Sequence, residues 1–304
     1  MTPRWLAVAG WLVGIAFTGR GEIVYETTSP YHHILVIDEG GVRTLSFDGT
    51  QETRMSLRDP SQGHFGYTEL FHYAWLWNTN LARVAMLGLG GGSTQRSFLR
   101  CYPRVRVDSV EIDPAVVRIA TNYFQVTESE RHRIHVEDGR NHLRRSRERY
   151  DLILLDAYVK HRYGSSMPPH LATREFFELA RERLTTNGLL AYNVITVVKA
   201  GGTDALRALG RTLQAVFPQV YVFRATDSLN AVLLASQESR RLTMPELRQR
   251  AAVLTGRGFT GPPGLFRRLG AERMDLPADT VRAPVLTDDH APIEAMEGRS
   301  RPIR

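Results

Sequence analysis

The chain has 304 residues, 42% of them hydrophobic and 23% charged, enough for one large domain and a smaller one. Its formal net charge is +7, but no Lys/Arg run is interleaved with aromatics, so nucleic acid is not expected as a partner. A single cysteine, Cys101, excludes an internal disulfide and a cysteine-based zinc site.

In chain order, residues 5–18 (WLAVAGWLVGIAFT) are apolar and lie between Arg4 and Arg20. The run is short of the roughly 20 residues that span a membrane and closer to the apolar core of an export signal, without a clean cleavage site. Membrane association through residues 5–18, or export, is therefore expected over a cytoplasmic location. Residues 22–48 read as short strands, with Asp38-Glu39-Gly40-Gly41 as a hairpin turn, while 51–62 is polar and turn-rich. Residues 65–77 carry apolar and aromatic side chains at helical spacing.

From Val84 the pattern alternates strand and helix. Strands are predicted at 84–87, 105–110, 134–136, 150–156, 188–194, 220–224 and 231–235. Helices are predicted at 114–123, 141–149, 173–184, 205–216 and 242–257. Such alternation predicts an α/β fold, a mostly parallel Rossmann-like sheet with helices on both faces, behind a small N-terminal antiparallel β domain. The expected division is a signal- or anchor-like segment (1–20), the β domain (21–64), a nucleoside-binding catalytic domain (65–240), and a C-terminal helix with a charged tail (241–304).

The most informative stretch is 84–113. An apolar strand runs into Gly88-Leu89-Gly90-Gly91-Gly92, a helix follows, and a second strand ends on Glu111. Glycines let a backbone approach a ligand where a Cβ would clash, and an acid at the next strand tip can accept from ribose hydroxyls. Acids close two further strands, at Asp138-Gly139 and Asp156. Clustered carboxylates would repel phosphate, so the pattern points to an uncharged or cationic nucleoside, such as S-adenosylmethionine or a relative carrying a sulfonium. A P-loop is excluded for want of Gly-Lys-Ser/Thr, and a nicotinamide dinucleotide leaves Asp138 and Asp156 unexplained. Asp138 is also a candidate helix cap and Tyr67 a candidate core aromatic. His72, His142 and His170 show no metal-ligand spacing, so no metal is expected.

These motifs, in this order, resemble the spermidine/spermine synthase family, the polyamine aminopropyltransferases, over about residues 22–235, and most of all its divergent bacterial branch. Ser29-Pro30-Tyr31, Phe47-Asp48-Gly49-Thr50-Gln51 and Phe65-Gly66-Tyr67-Thr68-Glu69 are similar to its N-terminal motifs. Gly90-Gly91-Gly92, Val110-Glu111-Ile112-Asp113 and Asp138-Gly139 are similar to its nucleoside motifs, and 150–156 to its catalytic strand.

The resemblance implies a class I methyltransferase-like fold and aminopropyl transfer from decarboxylated S-adenosylmethionine to a small amine such as putrescine, in a homodimer. It implies Asp156 and Tyr67 as catalytic residues. Gly88, Gly90, Gly92, Ser93, Glu111, Asp138 and Gly139 would hold the co-substrate, and Gln51, Glu69 and Tyr158 the amine. Two family acids are missing: the loop aspartate is Ser93, and the second acid of the catalytic strand is Val159. Asp288, Asp289 and Glu294 are candidate replacements. Rival readings are a methyltransferase using S-adenosylmethionine itself, which Ser93 favours, and a non-catalytic nucleoside- or polyamine-binding domain.

Overall fold

The computed structural model describes residues 21–161, 164–195 and 204–298. The first four strands, β1 (Glu22–Thr28), β2 (His33–Glu39), β3 (Val42–Phe47) and β4 (Thr50–Ser56), form an antiparallel meander in that order. The turn between β2 and β3 falls on Gly40 and Gly41, both at positive φ (57° and 78°), as a two-residue hairpin of this twist requires. β4 corrects the expectation of a turn-rich 51–62. Its sequence, TQETRMS, is too polar to read as a strand, and pairing with β3 supplies what its composition does not.

The main sheet comprises β5 (Arg83–Leu87), β6 (Arg106–Glu111), β7 (His132–Val136), β8 (Tyr150–Leu155), β11 (Leu184–Ile195), β12 (Gln219–Arg224), β13 (Asn230–Ser236) and β14 (Arg273–Met274). Across the sheet the order is β14-β12-β13-β11-β8-β5-β6-β7. β7, β6, β5, β8 and β11 are parallel, and β13, β12 and β14 alternate against them. A short hairpin, β9 (Val159–His161) with β10 (Gly164–Ser166), follows β8.

The helices are α1 (Ser93–Cys101), α2 (Pro114–Tyr123), α3 (Gly139–Arg145), α4 (Arg174–Glu182), α5 (Asp204–Gln214), α6 (Met244–Gly256), α7 (Leu265–Glu272) and α8 (Ile293–Gly298). Both sheet faces are covered, which explains the continuous apolar runs of the central strands. On β8, Ile153 and Leu155 join the core with Phe176, Phe177 and Leu209, while Leu152 and Leu154 join the one with Phe71, Phe98 and Leu234. Cys101, at the end of α1, is buried and unpaired.

Residues Gly66–Leu76 form a 3-10 helix, where 3.6-residue spacing predicted an α-helix. Leu70, Phe71, His72, Tyr73 and Ala74 are all buried, so the segment has no solvent face and is shaped by what surrounds it. The C-terminal region holds more than the single expected helix, with α6, α7, β14 and α8 all formed.

The strand order reverses at β5, whose neighbours are β6 on one side and β8 on the other. Ligands of open α/β sheets bind at the carboxyl ends of the strands at such a switch point. The small sheet closes this end. Its buried residues Ile34, Val36, Leu45 and Met55 pack against Val116, Ile119 and Phe124 in and just after α2. Thr53 Oγ1 accepts from Gly91 N at 2.9 Å, and Ser29 Oγ donates to Asp113 Oδ2 at 2.6 Å.

Candidate active site

A cavity of about 270 Å³ lies where the carboxyl ends of β5, β6 and β8 meet β4 of the small sheet. Gly88, at φ +102°, starts the loop after β5. A Cβ there would stand 2.1 Å from the Asp156 carbonyl oxygen, so only glycine lets β5 and β8 end side by side. Gln95 of α1 donates to the Gly88 carbonyl at 3.0 Å. Glu111 ties the loop to β6: its Oε2 accepts from Leu89 N and its Oε1 from Asp113 N, both at 3.0 Å. Burial raises the Glu111 carboxyl against the pull of these amides. Each oxygen keeps accepting capacity toward the cavity.

Asp138 does two things. Its Oδ1 caps α3 by accepting from Asn141 N at 2.9 Å, and its Oδ2 meets His170 Nε2 at 2.8 Å. The His170 contact is the main reason its carboxyl stays below the usual range. Both residues line the cavity.

Asp156 follows the last residue of β8. Asn193 Nδ2, on the neighbouring β11, donates to its Oδ1 at 2.8 Å, and Tyr67 Oη donates to its Oδ2 at 3.0 Å. Asn230 Nδ2 in turn donates to Asn193 Oδ1 at 3.1 Å. Burial pushes the Asp156 carboxyl up to about 6, with the Asn193 and Tyr67 bonds pulling the other way. Burial, and the Asp156 charge next, hold the Tyr67 phenol protonated far above its ordinary range. The result is a carboxylate oriented by two donors, with a proton affinity suited to acid–base work near neutrality.

Of the residues singled out in the sequence, Gln51, Tyr67, Gly88, Gly90, Ser93, Glu111, Asp138, Gly139, Asp156 and Tyr158 line this one cavity. Tyr158 Oη donates to the Asn193 carbonyl at 3.1 Å and accepts from Ile195 N at 2.9 Å, so its hydroxyl braces β11. Three expectations need correction. Gly92 precedes α1 and its α-carbon faces the Val126 side chain, outside the cavity. Glu69 is drawn away by His64 and Arg268; burial opposes their effect, yet together they keep it below the usual range. Asp288 is held by Arg140, at 2.7 and 2.6 Å, and by Thr173; neither it nor Asp289 nor Glu294 lines the cavity.

Sequence reasoning missed Asn193, Asn230 and Glu52, the last of which lines the cavity from β4. The two asparagines carry no motif, and Glu52 sat next to Gln51 in a stretch read as a turn. Among the described residues one trio, His135, Glu137 and His142, has potential metal-ligating atoms within 4.8 Å of one another, a grouping not anticipated from spacing. Its members are engaged within the protein: Glu137 with Arg145 and His142, and His142 also with Tyr150.

Fold and site together define a transferase of the methyltransferase-like class. A spermine/spermidine synthase domain model matches residues 64–226, more than half of the chain, and the chain belongs to that family. It is 29% identical over 288 residues to a polyamine aminopropyltransferase of Vibrio vulnificus, covering 92% of this chain and 93% of that protein. A probable spermidine synthase from Corynebacterium glutamicum superposes with a TM-score of 0.66 at 21% identity, over 88% of this chain and 97% of that one. Human methyltransferase-like protein 13, solved in complex with SAH, gives 0.54 at 27% identity, over 65% and 91%.

The expectation of membrane association or export is overturned. Among the described residues no helix is long and apolar enough to cross a membrane, and the likeness to the Vibrio enzyme takes in nearly the whole chain. Residues 5–18 lie outside the described residues.

Proposed function

We propose that the chain transfers an aminopropyl group from decarboxylated S-adenosylmethionine to a small cationic amine. One observation carries this reading: Glu52, Glu111, Glu137, Asp138 and Asp156 line the cavity, and no described residue lining it is a lysine or arginine. In a chain of net charge +7 this is a local inversion of charge. It suits two cationic substrates and offers the carboxylate of ordinary S-adenosylmethionine no lysine or arginine among the described residues.

In this reading Glu111 takes the ribose hydroxyls, and Asp138 with Gly139 borders the adenine. Asp156, held by Asn193 and Tyr67, accepts a proton from the attacking ammonium. The freed lone pair attacks the carbon bonded to sulfur; the C–N bond forms as the C–S bond breaks. The bonding pair stays on sulfur, giving neutral methylthioadenosine. An ordinary alkylammonium titrates near 10, so proton transfer from it to Asp156, pushed up to about 6 by burial, is uphill by about 5 kcal/mol. Desolvating the ammonium in the cavity lowers that gap, and holding both substrates together supplies much of the rest.

Ser93 and the likeness to methyltransferase-like protein 13 favour a second reading, methyl transfer from S-adenosylmethionine. Calorimetric titration with S-adenosylmethionine and its decarboxylated form, followed by a methylthioadenosine assay with putrescine, separates the two. The aminopropyl reading expects tighter binding of the decarboxylated form and amine-dependent methylthioadenosine. Preference for the carboxylated form would overturn it.

A further inference from the structure

β3 and β4 lose register at one point: Leu45 pairs with Thr53 and Ser46 with Gln51, so Glu52 is the extra residue of a β-bulge. A bulge breaks the strict alternation of side chains and re-aims the residues at it. Its effect here is that Glu52 and Thr53, neighbours in sequence, both face the main sheet. Thr53 anchors the glycine loop through Gly91, and Glu52 enters the cavity.

The Glu52 carboxylate has no hydrogen-bond donor or cation among the described residues. It is half-buried, and what it faces is the cavity. Its electrostatic neighbours are carboxylates. Burial first, then Asp156, then Asp48, push it up to about 8. Tyr67, whose hydroxyl is bonded to Asp156, feels the Glu52 charge as well, and all three line the same cavity. Two carboxylates sharing a poorly hydrated volume repel each other, and the arrangement is relieved when a cation enters between them. Ser93 and Val159 line the same cavity and bring no charge to it.

We propose that Glu52 anchors the second, non-reacting ammonium of a diamine acceptor, and so selects diamines over monoamines. This rests on the aminopropyltransferase reading above. An amine whose attacking nitrogen lies at Asp156, and whose chain runs toward the small sheet, brings its far end to Glu52. The recognised chemistry is a primary ammonium. The donor's aminopropyl group carries one too, and the experiment distinguishes the two sources.

Wild-type protein, Glu52→Gln and Glu52→Asp are assayed for methylthioadenosine with putrescine and with butylamine, and the affinity for decarboxylated S-adenosylmethionine is measured separately. A charge-assisted contact of this kind predicts a putrescine KM raised about 10- to 100-fold in Glu52→Gln. The butylamine KM should move at least tenfold less, and Glu52→Asp should recover part of the preference. Equal losses for both amines, or a loss confined to donor affinity, would overturn the anchor role. So would unchanged discrimination in an active Glu52→Gln. Wild-type protein that turns over neither amine would instead overturn the reading of function, and the anchor role with it.

Discussion

Asn193 gives the sharpest test of how the site sets its own acidity. It is 2% exposed, and its amide donates to Asp156 at 2.8 Å, favouring the ionised carboxylate. Asn193→Leu keeps the approximate shape and removes the donor. A hydrogen bond to a charged group is worth about 1.5–3 kcal/mol, which is roughly 1–2 pKa units. From a starting value of about 6, Asp156 should rise to roughly 7–8.

The base must be ionised to accept a proton, so the acidic limb of kcat/KM for aminopropyl transfer moves to higher pH by that amount. At pH 7 the ionised fraction falls from about 0.9 to about 0.25, a loss of roughly fourfold that disappears near pH 9. Asn230 loses its acceptor, so melting is followed in parallel. A pH profile of methylthioadenosine formation is the assay. An Asn193→Leu limb that coincides with the wild-type limb would refute the assignment of Asp156 as the titrating base.

Asp156→Asn should lower single-turnover methylthioadenosine formation by about 10²- to 10⁴-fold while the adenosyl ligand still binds, since general-base catalysis contributes on that scale. Gly88→Ala places a Cβ 2.1 Å from the Asp156 carbonyl at φ +102°, so melting temperature and calorimetric ligand binding should both fall; wild-type behaviour in both would show that the strand ends can spread. Glu52→Gln should stabilise the ligand-free protein in a pH-dependent way. The folded-state value of about 8 exceeds the ordinary 4.5, so the native carboxyl loses stability as pH rises between them. The gain from the neutral variant should be small at pH 5 and grow to roughly 2–4 kcal/mol at pH 8 by denaturant titration, and a pH-independent difference would contradict the burial and repulsion argued for Glu52.

What the sequence by itself determined was whatever is encoded locally. The run from Val84 to Glu111 carries strand, glycine turn, helix and acid within one βαβ unit, and each signal depends only on near neighbours. Asp138 and Asp156 were legible for the same reason, as acids just past the ends of strands; Asp156, ending an apolar one, must meet a partner or a ligand.

Tertiary structure alone decided which side chains share the cavity. Asn193 and Asn230 meet Asp156 through pairings 37 residues apart, on strands with no motif at those positions. Glu69, adjacent to motif residues, is claimed by Arg268, which comes 199 residues later. Asp288, a candidate substrate ligand in the sequence, is spent on Arg140. Glu52 reaches the cavity only because a register shift between two strands breaks their alternation. Local periodicity fixes which elements form and where their acids end. Long-range pairing fixes which of those charges are neutralised by the protein and which are left for a ligand.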